Sequence, residues 1–477
     1  MMMNQDRAPL YEALLRHAER KPISFHVPGH KNGLVFHKKG QDVFERVLQL
    51  DATELSGLDD LHSPEGPILE AQKLLADFYG AKESFFLVSG SSAGNMAMIL
   101  AACDEDDTVL VQRNCHKSIL HGLMLANVKP VYLEPVYYEE WGFAGGVTKE
   151  TVTEAMAIYP EAKAIILTYP NYYGVSEDIS EVIAAAHKKD IIVLVDEAHG
   201  AHFALGAPFP VSSLTAGADV VIQSAHKTLP AMTMGSYLHI NGDKIDSEKI
   251  RFFLQMLQSS SPSYPIMASL DLARQFAATY AEKDKLKFIE ESTRFKRELS
   301  QITGVKISKE ENMIVDPLKI TLQADGVSGY NLQRLLEEKG VYTELADLKN
   351  ILFVLPLSLT NYPLTETIVR VTEAVMMAEK DESISSITYP YKKLTVSKPK
   401  LTYKEMKQKP NKLASIQECK GKIIAETVIP YPPGIPLFMA GETIDESRIS
   451  YLQDLMKAGA RFHGGETLSD GMLLVFE

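Results

Sequence analysis

Lys227 stands in Ser224-Ala225-His226-Lys227-Thr228, directly after an apolar run that ends Val220-Val221-Ile222. A lysine at the end of a buried strand is costly unless its amine is used. Beside other cations and partly desolvated, such an amine becomes a better nucleophile. Two further apolar runs end in residues of complementary chemistry. Ile191-Ile192-Val193-Leu194-Val195 leads into Asp196-Glu197-Ala198-His199-Gly200, and Ser84-Phe85-Phe86-Leu87-Val88 leads into Ser89-Gly90-Ser91-Ser92-Ala93-Gly94. An acid, a lysine and a small-residue turn at strand ends suit pyridoxal 5'-phosphate (PLP). The lysine would form the Schiff base and the acid would pair with the pyridinium nitrogen. The turn would hold the phosphate at a helix N-terminus, with the hydroxyls of Ser224 and Thr228 as further donors.

Each residue also has an ordinary reading. Asp196 suits an N-cap, and so do Ser91 and Ser92. His199 fits a packed histidine as well as a group orienting Asp196. His116, in Arg113-Asn114-Cys115-His116-Lys117-Ser118, fits a structural role or stacking on a flat ring. The loop Phe25-His26-Val27-Pro28-Gly29-His30-Lys31-Asn32-Gly33 fits a surface turn or a site lining. Asp59-Asp60-Leu61-His62-Ser63-Pro64-Glu65-Gly66-Pro67 is a second such loop.

These residues need elements that bring strand ends together. Between residues 81 and 240, strand-like runs (85–88, 108–111, 131–133, 164–168, 191–195, 220–223) alternate with helical patterns (95–103, 117–126, 149–156, 179–188). That alternation indicates an α/β fold with a mostly parallel, doubly wound sheet, whose sites lie at the carboxyl ends of strands. A long helix over 276–302 would leave this large domain. Strands at 319–322 and 351–356 with helices at 329–339 and 365–379 would build a small α+β domain. The expected division is 1–65 for an arm and site loops, 66–290 for the large domain, 291–388 for the small domain, and 389–477 for a linker and a C-terminal α+β domain. The lysine-rich 389–412 stretch, broken by Pro390, Pro399 and Pro410, reads as a solvated linker or a polyanion-binding face.

Composition narrows the function. The chain has 477 residues, 45% of them hydrophobic, and a formal net charge of -13. An acidic chain is a poor nucleic-acid binder, because phosphate neutralisation needs a basic surface. No apolar run of about 18 residues suggests a membrane span, and the N-terminus lacks a secretion signal. Three cysteines, Cys103, Cys115 and Cys419, suit a reducing compartment, and a cytoplasmic location is expected. Their spacing fits no zinc motif, and no metal is expected. No G-x-G-x-x-G follows the first strand, so nothing supports a dinucleotide site.

Taken in order, Phe25–Gly33, Gly90–Asn95, Asn114–Ser118, Asp196–Gly200, Ser224–Thr228 and Tyr431-Pro432-Pro433-Gly434-Ile435-Pro436 resemble the motifs of the Orn/Lys/Arg decarboxylases, PLP enzymes of the aspartate aminotransferase-like fold type I. The chain looks like the short form, without an N-terminal wing domain. The resemblance implies that Lys227 carries PLP, Asp196 meets the pyridine nitrogen and His116 stacks on the ring. Ser91, Ser92 and Ser224 would hold the phosphate, and His226 and His199 would flank the Lys227 linkage. It also implies a site between two subunits of a homodimer or larger homo-oligomer, with Ser260 reaching the neighbour's phosphate. Glu442 would meet the distal cation of a basic amino acid. Arginine is the first expectation, then lysine or ornithine. An aminotransferase or a carbon–carbon lyase of the same fold is the alternative, with Arg370 as a candidate carboxylate binder for the former.

Overall fold

The computed structural model describes residues 3–308, 313–381, 384, 387, 395–431 and 434–477. The chain forms two compact units, each built from separated segments. One contains Met1–Ala102 and Ile192–Ala281, the other Cys103–Ile191 and Glu282–Glu477.

In the first unit four strands lie in the order Glu83–Leu87, Ser236–Ile240, Val220–Gln223, Ile192–Asp196. Ser236–Ile240 runs against both neighbours, and Val220–Gln223 and Ile192–Asp196 are parallel. Their residues are mostly apolar and almost wholly buried. That composition fits strands covered on both faces. The helix Gly90–Ala102 starts directly beyond the first strand, where Gly90 turns the chain at φ +76°. Gly94 lets this helix lie close to the sheet, since a Cβ there would be 2.7 Å from Leu87 Cδ1. The second flagged loop is a capping device. Asp59 accepts the backbone N–H groups of Glu65, Gly66 and Ile68 at 2.7–3.0 Å, at the start of the helix Pro67–Tyr79.

In the second unit Ala164–Thr168, Thr108–Gln112 and Lys129–Leu133 are parallel neighbours, and Val396–Ser397 pairs antiparallel with the last. A separate antiparallel sheet runs Val305–Ile307, Lys319–Ala324, Asn350–Val354, Leu345–Ala346, accompanied by helices Gly329–Glu338 and Leu364–Met377. Near the C-terminus Asn411–Ser415 pairs with Met472–Phe476. A core containing Ile424, Val428, Phe438, Leu452 and Val475 packs there.

The chain is thus α/β with mixed, mostly parallel main strands, as expected, and the second unit adds a separate antiparallel sheet. Three local features differ. The expected helix over 276–302 is two helices, Tyr264–Ala278 and Glu282–Ser300. Thr279 is the C-cap of the first, and its hydroxyl donates to the Gln275 carbonyl at 2.8 Å. The strand Ser236–Ile240 and the helix Lys38–Leu50 were not anticipated. The lysine-rich stretch contains the short strand Val396–Ser397 and the helix Tyr403–Gln408, whose Thr402 and Glu405 form a capping box. Tyr389, Pro390, Pro432 and Pro433 lie outside the described residues. No helix among the described residues is long and apolar enough to cross a membrane.

Candidate active site

Eight of the expected site residues lie in the first unit. Lys227 is on the single helical turn Ala225–Thr228, just past the strand Val220–Gln223. Its Nζ is 3.1 Å from His199 Nε2, on the turn that follows Ile192–Asp196. The two strands are adjacent and parallel, so their carboxyl ends bring these turns together. His226 donates its Nδ1–H to the Gly235 carbonyl at 2.9 Å. Asp196 is 3% exposed, and Asn95 Nδ2 donates to its Oδ2 at 2.8 Å. Ser91 Oγ lies 2.7 Å from Ser224 Oγ and 3.1 Å from Ser236 Oγ, at the N-terminus of the helix Gly90–Ala102. Ser92, on the same turn, is exposed, as is Ser260.

The other two lie in the second unit. His116 caps the helix Lys117–Ala126. Its Nδ1 accepts the Ser118 backbone N–H at 3.2 Å, and its ring is exposed. Glu442 is 5% exposed and lies in an ionic cluster. Arg113 grips both its oxygens, with Nη2 2.8 Å from Oε2. Arg448 Nη1 and the Met439 N–H reach Oε2 at 2.9 and 3.1 Å. Burial opposes ionisation of Glu442, but the two guanidiniums, Arg113 foremost, outweigh it and hold the carboxyl down at about 2. Glu134 shares Arg113 at a longer 3.6 Å. Burial pushes its carboxyl up, because the attraction of Arg113 is partly offset by Glu442.

The residues of the first unit fit PLP. The donor set holds an amine beside an imidazole, a buried carboxylate at a strand end, and hydroxyls at a helix N-terminus. The Thr228 hydroxyl is also buried with no hydrogen-bond partner among the described residues. A phosphate would engage the N-terminal N–H groups and the hydroxyls of Ser91 and Ser224. Asp196, held by Asn95, would face a protonated ring nitrogen.

Asn95, Arg113 and Arg448 had drawn no assigned role from the sequence. Asn95 is five residues beyond Gly90, on the helix the turn begins, which was the available signal. Nothing local links Arg113 to Glu442 across 329 positions.

The chain is similar to known proteins over nearly its whole length. Residues 8–310 match the model for "Orn/Lys/Arg decarboxylase, major domain" and residues 384–475 that for the "C-terminal domain" of the same family. The chain is 46% identical to the uncharacterized protein YaaO of Bacillus subtilis, over 98% of each chain. It is 33% identical to an arginine decarboxylase of the same organism, over 100% of this chain and 99% of that one. Its fold is similar to that of the Francisella novicida lysine decarboxylase LdcF, with a TM-score of 0.84 at 21% identity, covering 98% of this chain and 81% of the other.

Proposed function

The chain belongs to the Orn/Lys/Arg decarboxylase family and is a PLP-dependent basic amino acid decarboxylase, and from this we propose that its substrate is L-arginine. The observation that carries this choice is the full-length similarity to an arginine decarboxylase at 33%, against 24% for the constitutive lysine decarboxylase of Escherichia coli.

The reaction removes carbon dioxide from the substrate and adds one proton at Cα. Bound PLP supplies the electron sink for the bond that breaks. The chain's residues do the rest. Lys227 would hold the cofactor, with His199 at 3.1 Å to exchange a proton with its amine. Asp196, fixed by Asn95, would keep the ring nitrogen protonated. His226, anchored through Nδ1 on Gly235, or Lys227 itself, delivers the proton to Cα. Ser91, Ser92 and Ser224 would hold the phosphate, and His116 would serve the ring.

Ser260 serves the phosphate of a second copy in a homodimer. Its exposure supports a role outside its own chain, and so does the apolar surface of the N-terminal segment, where Ile23, Phe25, Leu34 and Val43 are 77–93% exposed. Glu442 meets the distal cation. That role requires its carboxylate to release Arg113 or Arg448 as the substrate guanidinium arrives.

The test is to incubate the PLP-loaded protein separately with L-arginine, L-lysine and L-ornithine and to measure carbon dioxide and the product amine. Agmatine as the main product is expected. Cadaverine or putrescine instead would overturn the substrate choice, and a keto acid without carbon dioxide would favour the aminotransferase reading.

A further inference from the structure

Glu197 follows Asp196 on the chain and is 0% exposed. Its carboxylate accepts Ser212 Oγ–H at 3.0 Å, the Ser213 backbone N–H at 2.5 Å and Gln223 Nε2–H at 2.6 Å. The Gln223 carbonyl oxygen lies 3.1 Å from His239 Nε2, and His239 Nδ1 lies 2.7 Å from Ser84 Oγ. Burial pulls His239 down to about 3, so its imidazole is neutral and carries one proton. An amide oxygen can only accept, which assigns that proton to Nε2 and makes Nδ1 the acceptor of the Ser84 hydroxyl. Every donor in this row therefore points one way, from Ser84 through His239 and Gln223 to Glu197. The row starts on the strand Glu83–Leu87, crosses Ser236–Ile240 and Val220–Gln223, and ends on the turn beyond Ile192–Asp196.

Its last link joins two functional turns. Glu197 belongs to the turn that carries Asp196 and His199. Gln223 ends the strand that runs into Ser224 and Lys227. The Glu197 backbone N–H also reaches the Ile222 carbonyl at 2.8 Å. Gly200 lets the turn fold back on the side chain, since a Cβ there would lie 2.7 Å from Glu197 Cγ. Burial pushes the Glu197 carboxyl up to about 7 against the pull of its donors, so an isolated carboxylate here would be costly.

We propose that Glu197 is a positioning residue: through Gln223 it locks the turn bearing Asp196 and His199 to the turn bearing Lys227, and so sets the Lys227–His199 contact. The assignment rests on the reading of Lys227 as the PLP lysine but not on which amino acid is decarboxylated.

Three variants test it: Glu197→Gln, Gln223→Glu, and the exchange of both. Glu197→Gln sets an amide donor against the Ser213 N–H or the Gln223 amide. Gln223→Glu sets two carboxylates together. The exchange restores one acceptor and one donor at the same place, and His239 can still donate to position 223. The first readout is the visible absorbance of the PLP-loaded protein as a function of pH without substrate. The second is kcat and KM, and the third is the melting temperature. In Glu197→Gln the absorbance titration is expected to move by half a pH unit or more. kcat is expected to fall roughly 10- to 100-fold, as for a misplacement of the order of 1 Å, with KM changed less than threefold. The exchange is expected to recover most of both losses. A Glu197→Gln enzyme that folds with the parental absorbance titration and kcat within twofold overturns the proposal. So does an exchange variant that regains the melting temperature but not the titration, because that separates stability from positioning. If neither single variant folds, the exchange variant is read alone, and a folded protein with a displaced titration refutes the coupling. The absorbance readout needs no substrate, so an error in the substrate assignment leaves it standing.

Discussion

Replacing Glu442 by Gln removes the one carboxylate that both Arg113 and Arg448 hold. Breaking a buried pair from one side costs about 3–5 kcal/mol, because the remaining charge is left uncompensated. Here Arg448 keeps Asp445 at 2.6 Å and Arg113 keeps Glu134 at 3.6 Å, which places the cost at the lower end, about 3 kcal/mol. The carboxyl's depression from 4.5 to about 2 gives a similar figure, about 3 kcal/mol at 1.36 kcal/mol per unit. The sign follows from the folded group being the stronger acid. Its contribution is complete above pH 4.5 and is lost as the pH falls from 4.5 towards 2. The chain's single tryptophan, Trp141, is buried in the same unit as the cluster, so its fluorescence reports on that unit. Urea unfolding followed at Trp141 near pH 7 should show a midpoint lowered by roughly 0.5 M, because the slope for a chain this long exceeds the about 3 kcal/mol/M of small proteins. The parent should lose stability between pH 4.5 and 2 more steeply than Glu442→Gln does. A midpoint within about 0.2 M of the parent, with superimposable acid profiles, would refute the electrostatic reasoning. An unchanged midpoint with a several-fold higher KM for arginine would instead assign the carboxylate chiefly to the substrate.

Three further outcomes are expected. Gly94→Ala drives a methyl into Leu87 and Ile222 and should destabilise the protein by about 1–3 kcal/mol, with weaker PLP retention; a melting temperature within 1 °C of the parent would contradict the close approach. Asn95→Asp places a second carboxyl against Asp196, which raises the pKa of the pair, so the dissociation constant for PLP should rise at least tenfold above pH 6; unchanged affinity in equilibrium dialysis would remove Asn95 from the site. Cys103, Cys115 and Cys419 are all buried, and burial pushes the Cys103 thiol up to about 12, so a thiol reagent at pH 8 should label less than one cysteine per folded chain and all three in denaturant; rapid labelling of the folded protein would show that one of them is accessible.

The position of Lys227, Asp196 and the serine turn at strand ends was legible because each closes a continuous apolar run. The parts that escaped were those whose cause is distant in the chain. Arg113 and Glu442 are paired across 329 positions, and neither neighbourhood announces the other. Glu197 was visible as a letter beside Asp196, but its partners Ser212, Ser213 and Gln223 are assembled only by the sheet. The strand Ser236–Ile240 was missed because a strict alternation of strand and helix was expected, and the segment that separates it from its predecessor holds a single short helical turn, Ala225–Thr228. The helix break near Thr279 carries no glycine or proline.

The interleaving of the two units also has a consequence for synthesis on the ribosome. Met1–Ala102 emerges before the strands that complete its sheet, which begin only at Ile192, after a wait of roughly 5–20 s at ordinary elongation rates. During that interval the nascent segment exposes Glu83–Leu87 as an unpaired strand edge, together with the apolar side chains of residues 23–47. The second unit waits longer, because Asn411–Ser415 has no ladder until Met472–Phe476 is made. Production of this protein should therefore respond more to chaperone supply and translation speed than the stability of the finished chain would suggest.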